Sequence, residues 1–159
     1  MATECRDRHG ETDRDGRGVR MRLRPIGVVH SPFNHVRNVP RESESTVGEI
    51  EVFKEYELGL EGIDGVSHLI ILWVFHKSQG CSLRVKPLHY EDIRGVFATR
   101  HPDRPNPIGF TVVELLERRG RVLKVRGVDM VDGTPVVDIK PRSYIWQSEG
   151  NHQKILNER

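Results

Sequence analysis

A chain of 159 residues with 36% hydrophobic and 30% charged side chains has the make-up of one globular domain with a real core, without room for a second of ordinary size. Its formal net charge of +2 excludes binding to nucleic acid through bulk basicity, so any such contact has to come from local patches. The longest apolar run, residues 69–75, is too short to cross a membrane, and the N-terminus lacks a signal-peptide core.

Residues 1–20 hold five arginines and five acidic residues with almost nothing apolar, which predicts a disordered, locally neutral tail. The folded domain is expected over residues 21–146, with 147–159 as a second tail. Residues 23–30 read as a short strand stopped by Ser31-Pro32. Over 48–53, Ile50 and Val52 alternate with Glu49 and Glu51, the period of a half-buried strand. A short helix is expected over 55–60, halted by Gly62 and Asp64-Gly65. The stretch 66–76 contains seven successive apolar residues, rich in β-branched and aromatic types, and predicts a strand covered on both faces, in a barrel or at a subunit contact. Shorter strands are expected at 83–86 and 95–99. Residues 110–117 and 121–128 flank a turn around Gly120 and predict a hairpin. A last strand is expected at 136–139. Seven or so strands with short connections and no long amphipathic helix predict an all-β or β-dominated single-domain barrel.

Three prolines, two arginines and one asparagine crowd residues 100–109, between strands. Proline fixes φ and removes donors, so this is a stiff loop that presents polar groups at little entropic cost. Its arginines suit an anion or carboxylate, and the Asn106 side chain beside Pro107 suits an exocyclic amino group. Its alternative reading is a tight solvent-exposed connection. Asp132-Gly133 is a natural turn. Asp138 and Lys140 fall on one face of a strand, either as a surface ion pair or as an acid–base pair. The eight histidines match no zinc spacing, so no metal is expected. No GxGxxG, GxxxxGK[ST] or GxSxG pattern occurs. Cys5 and Cys81 form neither a disulfide framework nor a CxxC pair, which fits a reducing cytoplasm.

Five segments occur in an order that resembles a known family. They are Pro25-Ile-Gly-Val-Val-His-Ser-Pro32, Gly62-Ile-Asp-Gly-Val-Ser-His-Leu69, Val96-Phe-Ala-Thr-Arg100, Arg104-Pro-Asn-Pro-Ile-Gly109 and Asp132-Gly-Thr-Pro-Val-Val-Asp-Ile-Lys-Pro141. Over about residues 22–142 the chain resembles TsaA-like domain proteins, of the TrmO group of tRNA N6-adenosine methyltransferases, in their compact single-domain form. The resemblance implies a non-Rossmann β-barrel that binds S-adenosyl-L-methionine, acts as a cytoplasmic homodimer, and methylates N6 of threonylcarbamoyladenosine at position 37 in the anticodon loop of tRNA. It implies a cofactor pocket drawn from Arg41, Glu42, Ser43 and Glu44, His76 and Lys77, Arg100, Phe110, and Asp129, Met130, Val131 and Asp132. The loop at 41–45 is shorter than in relatives and lacks their Pro-Gly. An aromatic residue common after Asp-Ile-Lys-Pro is replaced by Arg142, with Tyr144 two places on.

For methyl transfer the candidates are Asp138 as acceptor or base, Asn106 as orienter of the N6 nitrogen, and Lys140, which, like Arg104, could grip the threonyl carboxylate or a phosphate. Arg104, Arg142 and Tyr144 are candidates for the modified base, its carboxylate or a phosphate. Arg37, Arg41, Arg84, Lys86 and Arg94 are candidates for the RNA backbone, against the alternative of scattered solvated charges. The competing function is a non-catalytic, dimeric, S-adenosylmethionine-binding regulatory module.

Overall fold

The computed structural model describes residues 22–40, 44–87 and 91–143. The expected tails at 1–20 and 147–159, the loop residues Arg41, Glu42 and Ser43, and Tyr144 lie outside the described residues. Eight strands are present: β1 (Gly27–His30), β2 (Val47–Val52), β3 (His68–Val74), β4 (Arg84–Val85), β5 (Arg94–Gly95), β6 (Ile108–Arg119), β7 (Val122–Arg126) and β8 (Pro135–Pro141). Six of them close an antiparallel barrel in the order β1-β2-β7-β6-β3-β8, and β4 and β5 form a separate two-stranded ribbon. The all-β barrel read from the sequence is therefore the fold.

Alternation along each strand builds the barrel core. Val29, Ile50, Val52, Leu69, Ile71, Val113, Leu123, Val125 and Val136 are each at most 2% exposed, and all point inward. Burying each such side chain contributes about 1.5–3 kcal/mol relative to exposure. Two register shifts tighten the ring. Leu72 pairs with Asp138 and Trp73 with Val136, which makes Val137 an extra residue of β8; Leu115 pairs with Val125 and Glu117 with Lys124, which makes Leu116 an extra residue of β6. Bulges of this kind bend a strand and increase its twist, as closure requires.

The segment expected as a short helix is a 3-10 turn sequence, Lys54–Leu60, whose Leu60 joins the core, flanked by the partly buried Tyr56, Ile63 and Val66. The strand expected at 95–99 is not one. Only Arg94–Gly95 pair as strand, and Val96–Ala98 wind into a 3-10 turn closed by Thr99 N–H and Thr99 Oγ1, both donating to the Val96 carbonyl. Cys81 is disulfide-bonded, a departure from the expectation of unpaired thiols.

The apolar run in β3 is covered on one face only. Leu69, Ile71 and Trp73 are buried, whereas Ile70, Leu72 and Val74 on the outer face are half-buried. Their partners on β6 extend the same surface: Ile70 pairs with Val112, Leu72 with Phe110 and Val74 with Ile108. Other parts of the barrel exterior carry ion pairs. Arg119 meets Glu49 at 2.8 Å, Arg126 meets Glu114 at 2.7 Å, and Glu51 is held between His30 at 2.9 Å and Arg121 at 2.6 Å.

One contact admits almost no variation. A Cβ on Gly109 would sit 2.2 Å from Trp73 Cε2, inside a ring that is 7% exposed. Overpacking of a core costs about 1–3 kcal/mol or more. Gly109→Ala is expected to fall at or above the top of that range in chemical denaturation, because the indole has nowhere to go. Replacing Trp73 by Leu in the same chain is expected to recover part of the loss.

Candidate functional site

The loops at one end of the barrel are bound to one another through backbone and side-chain contacts. Asp132 N–H donates to the Phe33 carbonyl at 2.8 Å, and Asp132 Oδ1 accepts from Ser31 N–H at 3.0 Å. Ser31 Oγ donates to the Met130 carbonyl at 2.7 Å, and Lys77 Nζ to the Asn34 carbonyl at 3.2 Å. Phe75 N–H donates to the Pro107 carbonyl at 2.8 Å. Gly127 and Val128 N–H both donate to the Thr46 carbonyl, which draws the loop carrying the exposed Glu44 to the same rim. Residues 44–46, 76–77, 100 and 129–132 therefore share one rim, held by four separate loops.

Asp129 is the chemically distinctive group there. Trp73 Nε1–H donates to Thr111 Oγ1 at 2.9 Å, and Thr111 Oγ1 donates to Asp129 Oδ1 at 2.6 Å. Trp73 and Thr111 are buried, so the relay runs from the barrel interior to the half-buried carboxyl. Burial pushes the Asp129 carboxyl up from the ordinary aspartate value, against the opposing pull of the Thr111 hydrogen bond, its own backbone and the Arg100 charge. Met130 and Val131 beside it are buried and give the turn an apolar floor, while Asp132 is exposed. The sequence singled out Asp129 but gave no hint of the relay. A polar Thr111 at an inward position of β6 was the only available signal.

The other candidates fall elsewhere. Phe110 sits on the outer face of β6, 47% exposed and opposite Leu72, and Leu72 is in turn opposite Asp138. Asp138 Oδ2 is 2.5 Å from Lys140 Nζ, and Asp138 Oδ1 accepts from Ile139 N–H at 2.9 Å. Asp138, Lys140 and Arg142 line a cleft of about 870 Å³ whose apolar walls include Tyr56, Leu60, Ile63 and Ile139. Arg142 N–H donates to the His68 carbonyl at the start of β3, whereas Trp73 lies near its end. With about 3.3 Å per residue, that places Arg142 roughly 15 Å along the barrel from the Asp129 rim. One chain thus separates the cofactor candidates from Arg142.

Arg104 is committed to its own loop. Its Nη1 donates to the carbonyls of Thr99 at 2.8 Å and of Val96 and His101 at 3.3 Å, and its guanidinium carbon lies 6.0 Å from the centroid of Phe97. Asn106 is exposed, and its carbonyl accepts from Ile108 N–H. Arg37, Arg84, Lys86 and Arg94 are exposed. Among the described residues no group of three or more histidine, cysteine or acidic side chains is placed to hold a metal ion, and no helix is long and apolar enough to cross a membrane.

Comparison with known proteins matches residues 28–148 to the tRNA-methyltransferase O N-terminal domain. A probable S-adenosyl-L-methionine-binding protein of Archaeoglobus fulgidus is 52% identical over 82% of this chain and 36% of its own length. An S-adenosyl-L-methionine-binding protein of the same organism is 48% identical over 77% of this chain and 90% of its own length. The tRNA (adenine(37)-N6)-methyltransferase of Escherichia coli is 43% identical over 73% of this chain and 55% of its own. A crystal structure of TrmO superposes with a TM-score of 0.67 at 35% identity, over 86% of this chain and 62% of that one. The chain thus spans about a third of the first of these relatives and just over half of the Escherichia coli enzyme. With 121 consecutive residues matched, and with the same barrel, the chain belongs to the tRNA-methyltransferase O N-terminal domain family.

Proposed function

We propose that this protein is an S-adenosyl-L-methionine-dependent methyltransferase that methylates N6 of threonylcarbamoyladenosine at position 37 of tRNA, and that it works in the cytoplasm as a homodimer. The observation that carries the reading is the rim where the half-buried carboxyl of Asp129, hydrogen-bonded by Thr111 Oγ1, adjoins the buried Met130 and Val131, with the Arg100 charge near enough to act on it. A zwitterionic, sulfonium-bearing ligand needs this donor set: a guanidinium for a carboxylate, a carboxylate for hydroxyl or ammonium donors, and an apolar floor. His76, Lys77, Glu44 and Asp132 complete it from the adjoining loops, with Arg41, Glu42 and Ser43 preceding Glu44. The folded unit is taken as residues 21–146.

The cofactor supplies an electrophilic methyl group on a sulfonium centre, so the protein mainly has to align donor and acceptor. Arg100 binds the ligand carboxylate and Asp129 its hydrogen-bond donors. Asp138 accepts the N6 proton, steadied by Lys140, and Asn106 orients the nitrogen. Arg142 and Tyr144 serve the modified base, while Arg37, Arg84, Lys86 and Arg94 serve the backbone. The spacing of Arg142 from the rim favours a site completed by a second copy. The apolar outer face of β3 and β6 is the surface for that contact, and Phe110 and Asp138 lie in one row across it.

The direct test is nucleoside mass analysis of bulk tRNA from cells with and without the gene. Loss of methylated threonylcarbamoyladenosine, restored by the wild-type chain but not by Asp138→Asn, is the expected result. An unchanged profile in a host that carries the modification would instead favour a non-catalytic S-adenosylmethionine-binding module. Val112→Arg places a charge in the apolar outer face and is expected to convert a dimer to a monomer in sedimentation, with the melting temperature of the barrel little changed.

Asp129 gives a prediction of opposite signs for stability and binding. A carboxyl whose folded pKa is raised costs nothing where both states are protonated, and its penalty is complete above the folded value. Asp129→Asn is therefore expected to melt higher than wild type at neutral pH, the gain vanishing as pH falls below about 3.9. The same change is expected to weaken S-adenosylmethionine binding by about 10- to 100-fold in calorimetry, the loss of a charge-assisted hydrogen bond.

A further inference from the structure

Phe97 is 75% exposed, yet it stands on one of the most tightly fixed turns of the chain. Val96 on its N-terminal side is 1% exposed and donates its N–H to the Leu83 carbonyl of the strand ribbon. The Val96 carbonyl accepts from Thr99 N–H at 3.1 Å, Thr99 Oγ1 at 2.8 Å and Arg104 Nη1 at 3.3 Å. Arg104, pinned by two further carbonyls, lies against the Phe97 ring at 6.0 Å. A large apolar ring is thus held out into solvent on a hydrogen-bonded turn, with one guanidinium 6.0 Å from its centroid, while most of its surface stays open. Packing does not account for it, since the ring takes no part in the barrel core.

Its surroundings carry positive charge. Residues 83–100 contain four cations, Arg84, Lys86, Arg94 and Arg100, against two acids, Glu91 and Asp92. This segment alone therefore matches the net charge of +2 of the entire chain. Arg84 lies opposite Gly95 in the ribbon and Arg94 opposite Val85, so both are carried on the element that leads into the Phe97 turn. Arg100, three residues beyond Phe97, acts on the Asp129 carboxyl, so the chain leaving this turn leads to the proposed cofactor rim.

An exposed aromatic ring set among cations is the arrangement that stacks the unpaired bases of single-stranded RNA. We propose that Phe97, with Arg104 beside it, is a stacking platform for an unpaired base of the RNA loop, and that the cations of the β4–β5 ribbon leading into its turn, Arg84 and Arg94, meet the RNA backbone. The inference rests on the tRNA reading above and adds to it a specific residue and a mode of contact. A protein partner is disfavoured by the same charges, since an apolar interface here would have to desolvate Arg84, Arg94 and Arg100.

The experiment measures binding of the full-length protein to a synthetic anticodon stem–loop and to a fully paired duplex of the same length. Wild type is expected to prefer the stem–loop. F97A and F97L are expected to weaken stem–loop binding by about 5- to 100-fold, the range for removing one stacked base. F97W is expected to restore it, with its indole emission quenched by the stem–loop beyond any quenching seen in wild type. The salt dependence is expected to keep its slope in F97A, because stacking releases no counterions. Cofactor affinity and sedimentation mass are expected to stay at wild-type values in all three variants. Equal stem–loop affinity for F97A and wild type would overturn the platform alone. A change of oligomeric state in F97A would reassign the ring to a contact between copies of the chain and equally overturn it. Absence of stem–loop binding by wild type would overturn the tRNA reading together with this inference.

Discussion

The packing of the Trp73 indole against the bare backbone of Gly109 is the constraint from which the rest of the site follows. Trp73 is one of the inward residues of β3, and only a residue without a Cβ fits opposite it on β6. That close approach fixes the indole so that its single N–H has one partner, Thr111 Oγ1. Thr111 Oγ1, accepting that hydrogen bond, donates its own O–H to Asp129 Oδ1. A carboxylate on a loop between strands is thereby positioned by the barrel core rather than by the loop. Groups held in this way keep their geometry when ligand binds, which is what alignment of a methyl donor demands.

The barrel was largely legible because its physics is periodic. Glu49 and Glu51 against Ile50 and Val52 announced β2, and the hairpin of β6 and β7 followed from two β-rich runs around Gly120, whose φ of +59° suits glycine. The 95–99 segment misled because Val96, Phe97 and Thr99 all favour strands. What decided its form was the Val96 carbonyl collecting three donors, two of them from side chains, an arrangement without a periodic trace in the sequence. The uninterrupted apolar run of β3 promised two covered faces. Among the described residues one face is fully covered, and Ile70, Leu72 and Val74 on the other are half-buried.

The site was legible as a set of segments and illegible as geometry. The motif residues marked both ends of the barrel, and a sequence does not say that Arg142 begins where β3 begins while Asp129 stands beside its end. Arg104 illustrates the second difficulty. An arginine in a proline-rich loop reads as an anion ligand, but three main-chain carbonyls of residues 96–101 converge on its Nη1, and carbonyls are the same at every position of a sequence. Its neighbour Phe97 escaped notice for the converse reason, since an aromatic residue in a strand-like run is ordinarily core.

These two residues also bear on how so nearly neutral a protein handles a polyanion. With ion pairs neutralising much of the outer polar face, among them Arg119 with Glu49, Arg126 with Glu114 and Arg121 with Glu51, little of the formal charge remains free there to attract RNA over a distance. Diffuse attraction of that kind is lost steeply with salt and cannot tell a loop from a duplex. In the proposed arrangement a ribbon carrying cations beside one exposed ring would work differently: the charges would supply attraction locally, and the ring would select for bases that are free to stack. Placing that selection three residues from Arg100 links recognition of an unpaired base to the rim where Asp129 is held, so the same turn connects the nucleic acid to the chemistry.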